Sequence, residues 1–545
     1  MKILVTTLIA LLCASATFSQ VKKIEYSTPF VEPEKGWYKV MQLSNGYTFF
    51  FDFNNDGVSV TVYKPDRKLA ARKKLTSSLW DPKDMKNSQM EGIYEINGEP
   101  VIFLQQLKSR EPILYRIQLN PTNGSISKQQ EIGRLPKYKM MAGYAMAIGG
   151  VDQEDFVVEK DPYSDAYAVM HYNSFAHESN KRIELVHYSI ENGEHKEINR
   201  AFYSSQGFKY TNYIGMCVSG DKSVHMAAYG YNTKASGGED SRIISSRIKP
   251  GEKEFTHLNL EFTEDFKETE GLMNYNPYTN LIQLFTITHL EGKDYSLPII
   301  SYIDPQSLQI VKKIVLPTEG LATYMKSKSM LRDEFRFTAV NMLLNSNNST
   351  TILLEEKSES AINSSSTSVE FGNIGIITLD PSGKETDVLG IMKDQIATGH
   401  HTELFYHAKR GKGLWSYVTR RGMTMYTPED NRSFYSYDYI NTANNNTYII
   451  YNDNRDNYIP QKPISTYKDL KTIKRVSESV AIIKKIQPSK VESDYLFRKP
   501  ANDNLNDFCN VESAHFNKET GVYASLMIKR NGRDKKAYIS WVTLE

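Results

Sequence analysis

The feature that most constrains this chain is a strand–turn–strand pattern that returns along nearly its whole length. ILYRIQLNPTNGSISKQQEI begins at Ile113, IELVHYSIENGEHKEI at Ile183 and RIISSRIKPGEKEFTHL at Arg242. IISYIDPQSLQIVKKIVL follows at Ile299 and IGIITLDPSGKETDVLGI at Ile374. Each alternates apolar and polar residues, the period-two signature of a half-buried strand, and then meets a Pro, Asn or Gly that sets a tight turn. An apolar strand precedes each one: PVIFLQQL at Pro100, AYAVMHY at Ala166, SVHMAAYGY at Ser223, NLIQLFTIT at Asn280 and TTILLEE at Thr350.

Three further stretches fit the same plan. GYTFFFDF (Gly46 to Phe53) opens it, GVYASLMIKRNGRDKKAYISWVTLE closes it, and NTYIIYNDN with VAIIKKIQPSKVES forms a looser member. The inner strands of these units are expected near residues 47, 101, 166, 223, 280, 350, 447 and 521. The mean interval is about 68 residues, and three or four strands per unit repeated radially is the β-propeller plan. The expectation is an all-β, single β-propeller of eight blades, with seven as the alternative. The first unit lacks an upstream partner strand, and Lys22 to Phe30 (KKIEYSTPF) supplies the outer strand of the last blade, closing the ring and removing an open edge.

The opening MKILVTTLIALLCASATFSQ has a basic start, an apolar centre and a small-residue exit, the form of a secretory signal peptide. The expected organisation is therefore a signal peptide over 1–19 and a propeller over 20–545, with long insertions near 355–373 and 385–445. No later stretch is long and apolar enough to span a membrane. The sequence holds 66 Lys and Arg against 64 Asp and Glu, a balance that argues against a nucleic-acid partner. Cys217 and Cys509 follow that leader, far too few for a disulfide scaffold, so two buried thiols are expected.

On these repeats and turns the chain resembles β-propellers as an architecture. With its TFSQ leader end and Asn-, Tyr- and Lys-rich composition, it is similar to exported propellers of Bacteroidota-like envelopes. The resemblance implies a periplasmic or cell-surface protein. The Gly-His…Trp-Asp pairs of WD repeats, the double glycines of kelch repeats and the S-x-D-x-G-x-T-W box of sialidase-like propellers are absent.

Asp52-Phe53-Asn54-Asn55-Asp56-Gly57 has the spacing with which many calcium loops begin, yet position nine is Val60 and position twelve is Tyr63, neither a ligand. Phe49, Phe51 and Phe53 alternate before this turn, and Val58, Val60 and Val62 after it. The segment reads as a blade hairpin. His401, Glu403 and His407 would share one strand face, but the two histidines would stand too far apart to hold one metal. No metal and no cofactor is expected.

Between Ala397 and Tyr439, Lys409, Arg410, Lys412, Arg420 and Arg421 are interleaved with Trp415, Tyr417, Tyr426, Tyr435, Tyr437 and Tyr439. Cations beside aromatics suit a sugar or protein surface, and the other reading is that the aromatics fill the wedge between blades. Trp415, Tyr417, Arg420 and Arg421 are the candidate binding residues. Nucleophile elbows, phosphate loops and dinucleotide glycine patterns are missing. Two acid-bearing stretches, Asp155 to Asp165 and Tyr451 to Tyr458, are candidates for a tunnel-mouth active site. The Ser-rich stretch Glu355 to Asn373 reads as a surface loop. The leading expectation is a non-enzymatic scaffold binding an envelope protein or glycan. The alternative is a carbohydrate-active hydrolase or lyase with carboxylates at the tunnel mouth.

Overall fold

The computed structural model describes residues 20–33, 36–54, 56–137, 155–173, 181–232, 241–263, 266–290, 296–331, 336–363, 366–398, 404–408, 417–418, 424–426, 434–458, 464–487, 490–500 and 505–544. They form eight antiparallel sheets in a ring, an eight-bladed β-propeller. Blades 1 to 7 span 36–74, 88–134, 156–203, 210–260, 266–315, 337–398 and 438–495. Blade 8 combines 505–544 with the strand Val21–Tyr26.

Each blade is sandwiched between two others, so its middle strands bury both faces and read as almost continuous apolar runs. Thr48–Asn54, with the sequence TFFFDFN, shows the consequence. Phe49, Phe51 and Phe53 pack towards Met90, Ile102 and Leu104 of blade 2. Phe50 points the other way, into a cluster with Leu526, Ile539 and Trp541 of blade 8. One such apolar cluster fills every seam around the ring. Each fully buried Phe or Leu in them contributes about 1.5–3 kcal/mol.

The ring closes as the sequence predicts. Val21 pairs with Leu544 and Tyr26 with Ser540, and Phe30 and Ala537 exchange two backbone hydrogen bonds of 2.9 Å. Gln42 of blade 1 adds a cross-tie by donating Nε2 to the carbonyls of His515 and Val522 at 2.8 and 3.0 Å.

Three expectations need correction. The strands beginning near 47, 101 and their equivalents are the second strand of each blade, not the innermost. The first unit does have an upstream partner, because Gly36–Gln42 pairs along Thr48–Asn54. The Ser-rich stretch Glu355 to Asn373 is not a loop. Thr350–Asn363 and Ser366–Leu379 form one long ribbon, with Ser360 opposite Ser368 and Asn363 opposite Ser366. Short hydroxyl side chains facing one another across a ladder are good strand pairs even where little apolar surface is present.

Because the strands alternate in direction, every first-to-second and third-to-fourth connection emerges on one face of the ring. Every second-to-third and blade-to-blade connection emerges on the other. In blades 1 to 7 the first face carries only turns of two to seven residues. The second carries 135–155, 173–182, 232–241, 316–336, 392–437 and 455–478. We refer to the short-turn face and the long-loop face. A helix, α1 (Glu319–Ser327), lies in the 316–336 connection and buries Leu321 and Met325, one turn apart.

Candidate functional site

Five turns of the short-turn face are Asx-Pro turns. Asn120, Asp161, Asn276, Asp304 and Asp380 each precede a proline, and each carries a side-chain oxygen that accepts backbone N–H groups two to four residues on. Pro presets one dihedral while the Asx oxygen replaces the missing turn bonds. Four such donors and the hydroxyls of Ser307 and Ser382 hold Asp304 and Asp380 below the usual carboxylate range. Acids also join one inner turn to the next. Glu95 accepts from Ser44 N at 2.9 Å, Asp165 from Asn97 N at 3.0 Å and Asp161 from Gly220 N at 2.9 Å. Tyr163 and Tyr278, from equivalent turns of blades 3 and 5, meet edge to face at 6.3 Å. The Asp52–Gly57 segment is the blade hairpin it was expected to be. Asn54 pairs with Gly57, which takes φ +122°, and the Asp52 carboxylate accepts from the Asn54 amide at 3.1 Å.

The long-loop face is organised differently. At blades 6 and 7 its connections converge on a wholly buried ion pair, Lys393 Nζ to Glu355 Oε1 at 2.7 Å, both side chains at 0% exposure. Lys393 also donates to Phe371 O and Gln395 Oε1, each at 3.1 Å. Glu355 Oε2 accepts from Ser436 Oγ at 2.8 Å. Ser436 sits at φ +68°, a strained setting for a residue with a Cβ. Its hydroxyl has Tyr406 OH at 3.0 Å and His407 Nε2 at 3.1 Å as further partners.

A hydroxyl donates once and accepts twice. Ser436 gives its proton to Glu355 and so accepts from Tyr406 and from a His407 protonated on Nε2. All three of its hydrogen-bonding positions are then used, so this serine is a pin and not a nucleophile. Gln395 carries the network on, donating to Asn452 O at 2.7 Å, and Asn452 reaches Phe434 O and Cys509 O, also at 2.7 Å. Blades 6, 7 and 8 are thereby tied to the same buried centre.

This centre holds both feet of one excursion of the chain. Leu404–Ala408 docks on the innermost strand of blade 6 through Phe405 N to Ala339 O and His407 N to Val340 O. Phe434–Tyr437 leads into blade 7. The His407–Ser436 bond joins the two feet across 29 residues. Of the candidate binding residues that lie between them, Trp415, Arg420 and Arg421 fall outside the described residues, as do Lys409, Arg410 and Lys412. Tyr417 belongs to a short backbone ladder, Tyr417–Val418 with Thr424–Tyr426. Tyr435 and Tyr437 are buried, and Tyr437 OH donates to Leu354 O at 3.1 Å, so these two aromatics fill the wedge between blades. His401 and Glu403 lie outside the described residues, and His407 sits in a turn and not on a strand.

The two acid-bearing stretches do not come together. Asp155 to Asp165 belongs to blade 3 and Tyr451 to Tyr458 to blade 7, on opposite sides of the ring. Asp155 accepts from Gln105 at 2.9 Å, while Asp161 and Asp165 serve the turns. Asp456 pairs with Lys471. Asp453 stands apart, because burial pushes its carboxyl up to about 6 while Asn457 Nδ2 donates to it at 2.8 Å. Burial likewise lowers nearby Lys484 below the usual ammonium range. Cys217 and Cys509 are free and buried, and burial raises both thiols far above the usual range. That suits inert packing groups.

No family model and no curated protein matches this sequence. Solved structures do match in fold. Prolyl oligopeptidase B from Galerina marginata is 8% identical with a TM-score of 0.39, covering 94% of this chain and 56% of its own. The chain thus spans little more than half of that peptidase. The polysaccharide lyase Uly1 is 9% identical with a TM-score of 0.37, covering 84% and 90%. The Dos1 propeller is 8% identical with a TM-score of 0.29, covering 94% and 83%. Likenesses at this level carry no functional argument.

Proposed function

We propose that the protein is a non-enzymatic binding scaffold of the cell envelope or exterior, presenting the long-loop face of blades 6 and 7 to a protein or glycan. The observation that carries this reading is the convergence of that face on one rigid centre. A wholly buried ion pair with a saturated hydrogen-bond network holds both ends of the segment bearing Trp415, Tyr417, Arg420 and Arg421. A rigid base under variable loops is how propellers and other β-scaffolds carry recognition. The hydrolase or lyase alternative would need two carboxylates facing one pocket, and Asp453, the raised acid of the two stretches named for it, is held by Asn457.

The test is retention of a binding partner on the immobilised protein, read beside its thermal melt. Trp415→Ala and Arg420→Glu are expected to abolish retention while leaving the melting temperature unchanged. A melting temperature that falls steeply for Trp415→Ala assigns that residue to the core and removes the reading. Time-dependent shortening of a captured oligosaccharide replaces it with the enzymatic one.

A further inference from the structure

The strand that closes the ring begins one residue after Gln20. In the sequence before it, Thr17 and Ser19 set small residues on both sides of Phe18, the pattern after which an export peptidase cuts. Val21 pairs with Leu544, and Val21 and Ile24 pack against the apolar seam of blades 7 and 8. Gln20 is thereby fixed at the end of the closing ladder, where it is 5% exposed. Its side-chain Oε1 is buried and has no hydrogen-bond partner among the described residues.

Resting on the placement of the protein in the envelope or exterior, we infer that Gln20 is the first residue of the mature chain and a modification site, closing on itself to a pyroglutamyl lactam. The α-amine attacks the side-chain Cδ. The Nα–Cδ bond forms, the Cδ–Nε2 bond breaks, and Nε2 leaves as ammonia with the proton given up by the amine. Nothing is oxidised or reduced, and no co-reactant is consumed.

Position and chemistry agree. Only the uncharged amine is a nucleophile, and burial favours that form because it penalises an ammonium. No bond holds Oε1 against the turn that brings Cδ to the amine. The product also suits the place better than the reactant. An α-ammonium needs water or an anion, whereas a lactam is neutral and lies beside the apolar end of the seam at little cost. The modification has a use outside the cytoplasm. An aminopeptidase finds no amine to engage, so the outer strand of blade 8 is not trimmed from the end that pairs with Leu544.

The experiment expresses the full chain from Met1 in an exporting bacterial host and reads the intact mass of the protein recovered outside the cytoplasm. The expected mass is that of residues 20–545 less one ammonia, with no reactive α-amine. Pyroglutamyl aminopeptidase is expected to release the first residue from unfolded protein roughly tenfold or more faster than from native protein, because the native enzyme substrate must first open locally. Gln20→Ala is expected to keep its amine. Relative to wild type, its melt should fall further at about pH 6 than at about pH 9, since a buried amine takes up a proton more readily once unfolded. A mature chain that starts at Gln20 with its full mass overturns the inference and leaves export standing, as does a chain cut at another residue. A chain that keeps residues 1–19 overturns both. Equal release from native and unfolded protein overturns the buried lactam, and so does an equal melt difference at the two pH values.

Discussion

On the short-turn face Asp304 is served by Ser307, three residues on. On the long-loop face Ser436 is served by Glu355, 81 residues back. The first kind of bond is local and forms wherever an Asx-Pro turn is written. The second exists only after blade 6 and the segment leading into blade 7 have come together. One face of the propeller is thus a set of locally closed turns linked by single bonds, and the other is a single polar centre on which long segments depend. The regular face repeats and the irregular face differs from blade to blade, which is why the recognition surface is sought on the second.

The contrast can be tested by breaking each face in turn. Lys393→Met leaves the Glu355 carboxylate buried without its cation, and should cost about 3–5 kcal/mol in a denaturant melt. Adding Glu355→Gln should restore part of that loss. If the single variant is as mild as a turn substitution, the long-loop face is not anchored as described.

The next effect depends on pH. Asp453 has its folded-state carboxyl raised to about 6 from 3.8. Its ionisation therefore opposes folding, with a penalty that grows as pH rises from about 4 to about 6 and stays constant above. Asp453→Asn should stabilise the protein on the order of 2–3 kcal/mol at pH 8 and have little effect at pH 4. An equal gain at both pH values would show that charge is not the cause. The buried histidines act in the other pH direction. His225 is lowered to about 3 and His515 to about 4, both chiefly by burial. Both take up a proton more readily when unfolded, so stability should fall as pH drops from about 6.5 towards 4.

The turns should respond less. Asp161→Ala strands the Gly220 N–H and removes the acceptor of Tyr163 N, a loss of about 1–2 kcal/mol in the same melt. Tyr163→Ala, which removes the edge-to-face contact with Tyr278, should cost about 0.5–1.5 kcal/mol and leave ligand binding unchanged. A large loss of binding in that variant would move the recognition surface to the short-turn face.

The same contrast explains what could be read from the residues. Turns such as Asp304-Pro305 and Asp380-Pro381 announce themselves because proline, an Asx oxygen and a flanking alternation act within six residues. The blade count followed from them, whereas the closing strand was reached from a first unit thought to lack an upstream strand, which Gly36–Gln42 in fact supplies. In blades 2, 4 and 5 the innermost strand carries a bulge, between Met90 and Gly92, at Tyr213/Gly215 and at Lys267/Glu270. Each bulge breaks the period-two pattern that marks a strand. Glycine is needed there for close approach: a Cβ on Gly215 would stand 2.9 Å from Met273 Cβ of the next blade. The Lys393–Glu355 centre left no mark in the sequence, since a lysine and a glutamate in different segments look like surface charges until the fold buries them.

The pairing of Val21–Tyr26 with Asp534–Leu544 also sets an order of events. The strand that completes the ring is among the first to be synthesised and cannot be used until its partner, more than 500 residues later, has emerged. Through most of synthesis blade 1 has no neighbour on its blade 8 side, and Phe50 and Tyr63 wait exposed for Trp541. Such late, long-range pairing is slow, and the waiting surface is prone to wrong contacts. A chain truncated before Trp541 would therefore lose the closing seam as well as its last strand, leaving every earlier blade in a ring that cannot shut.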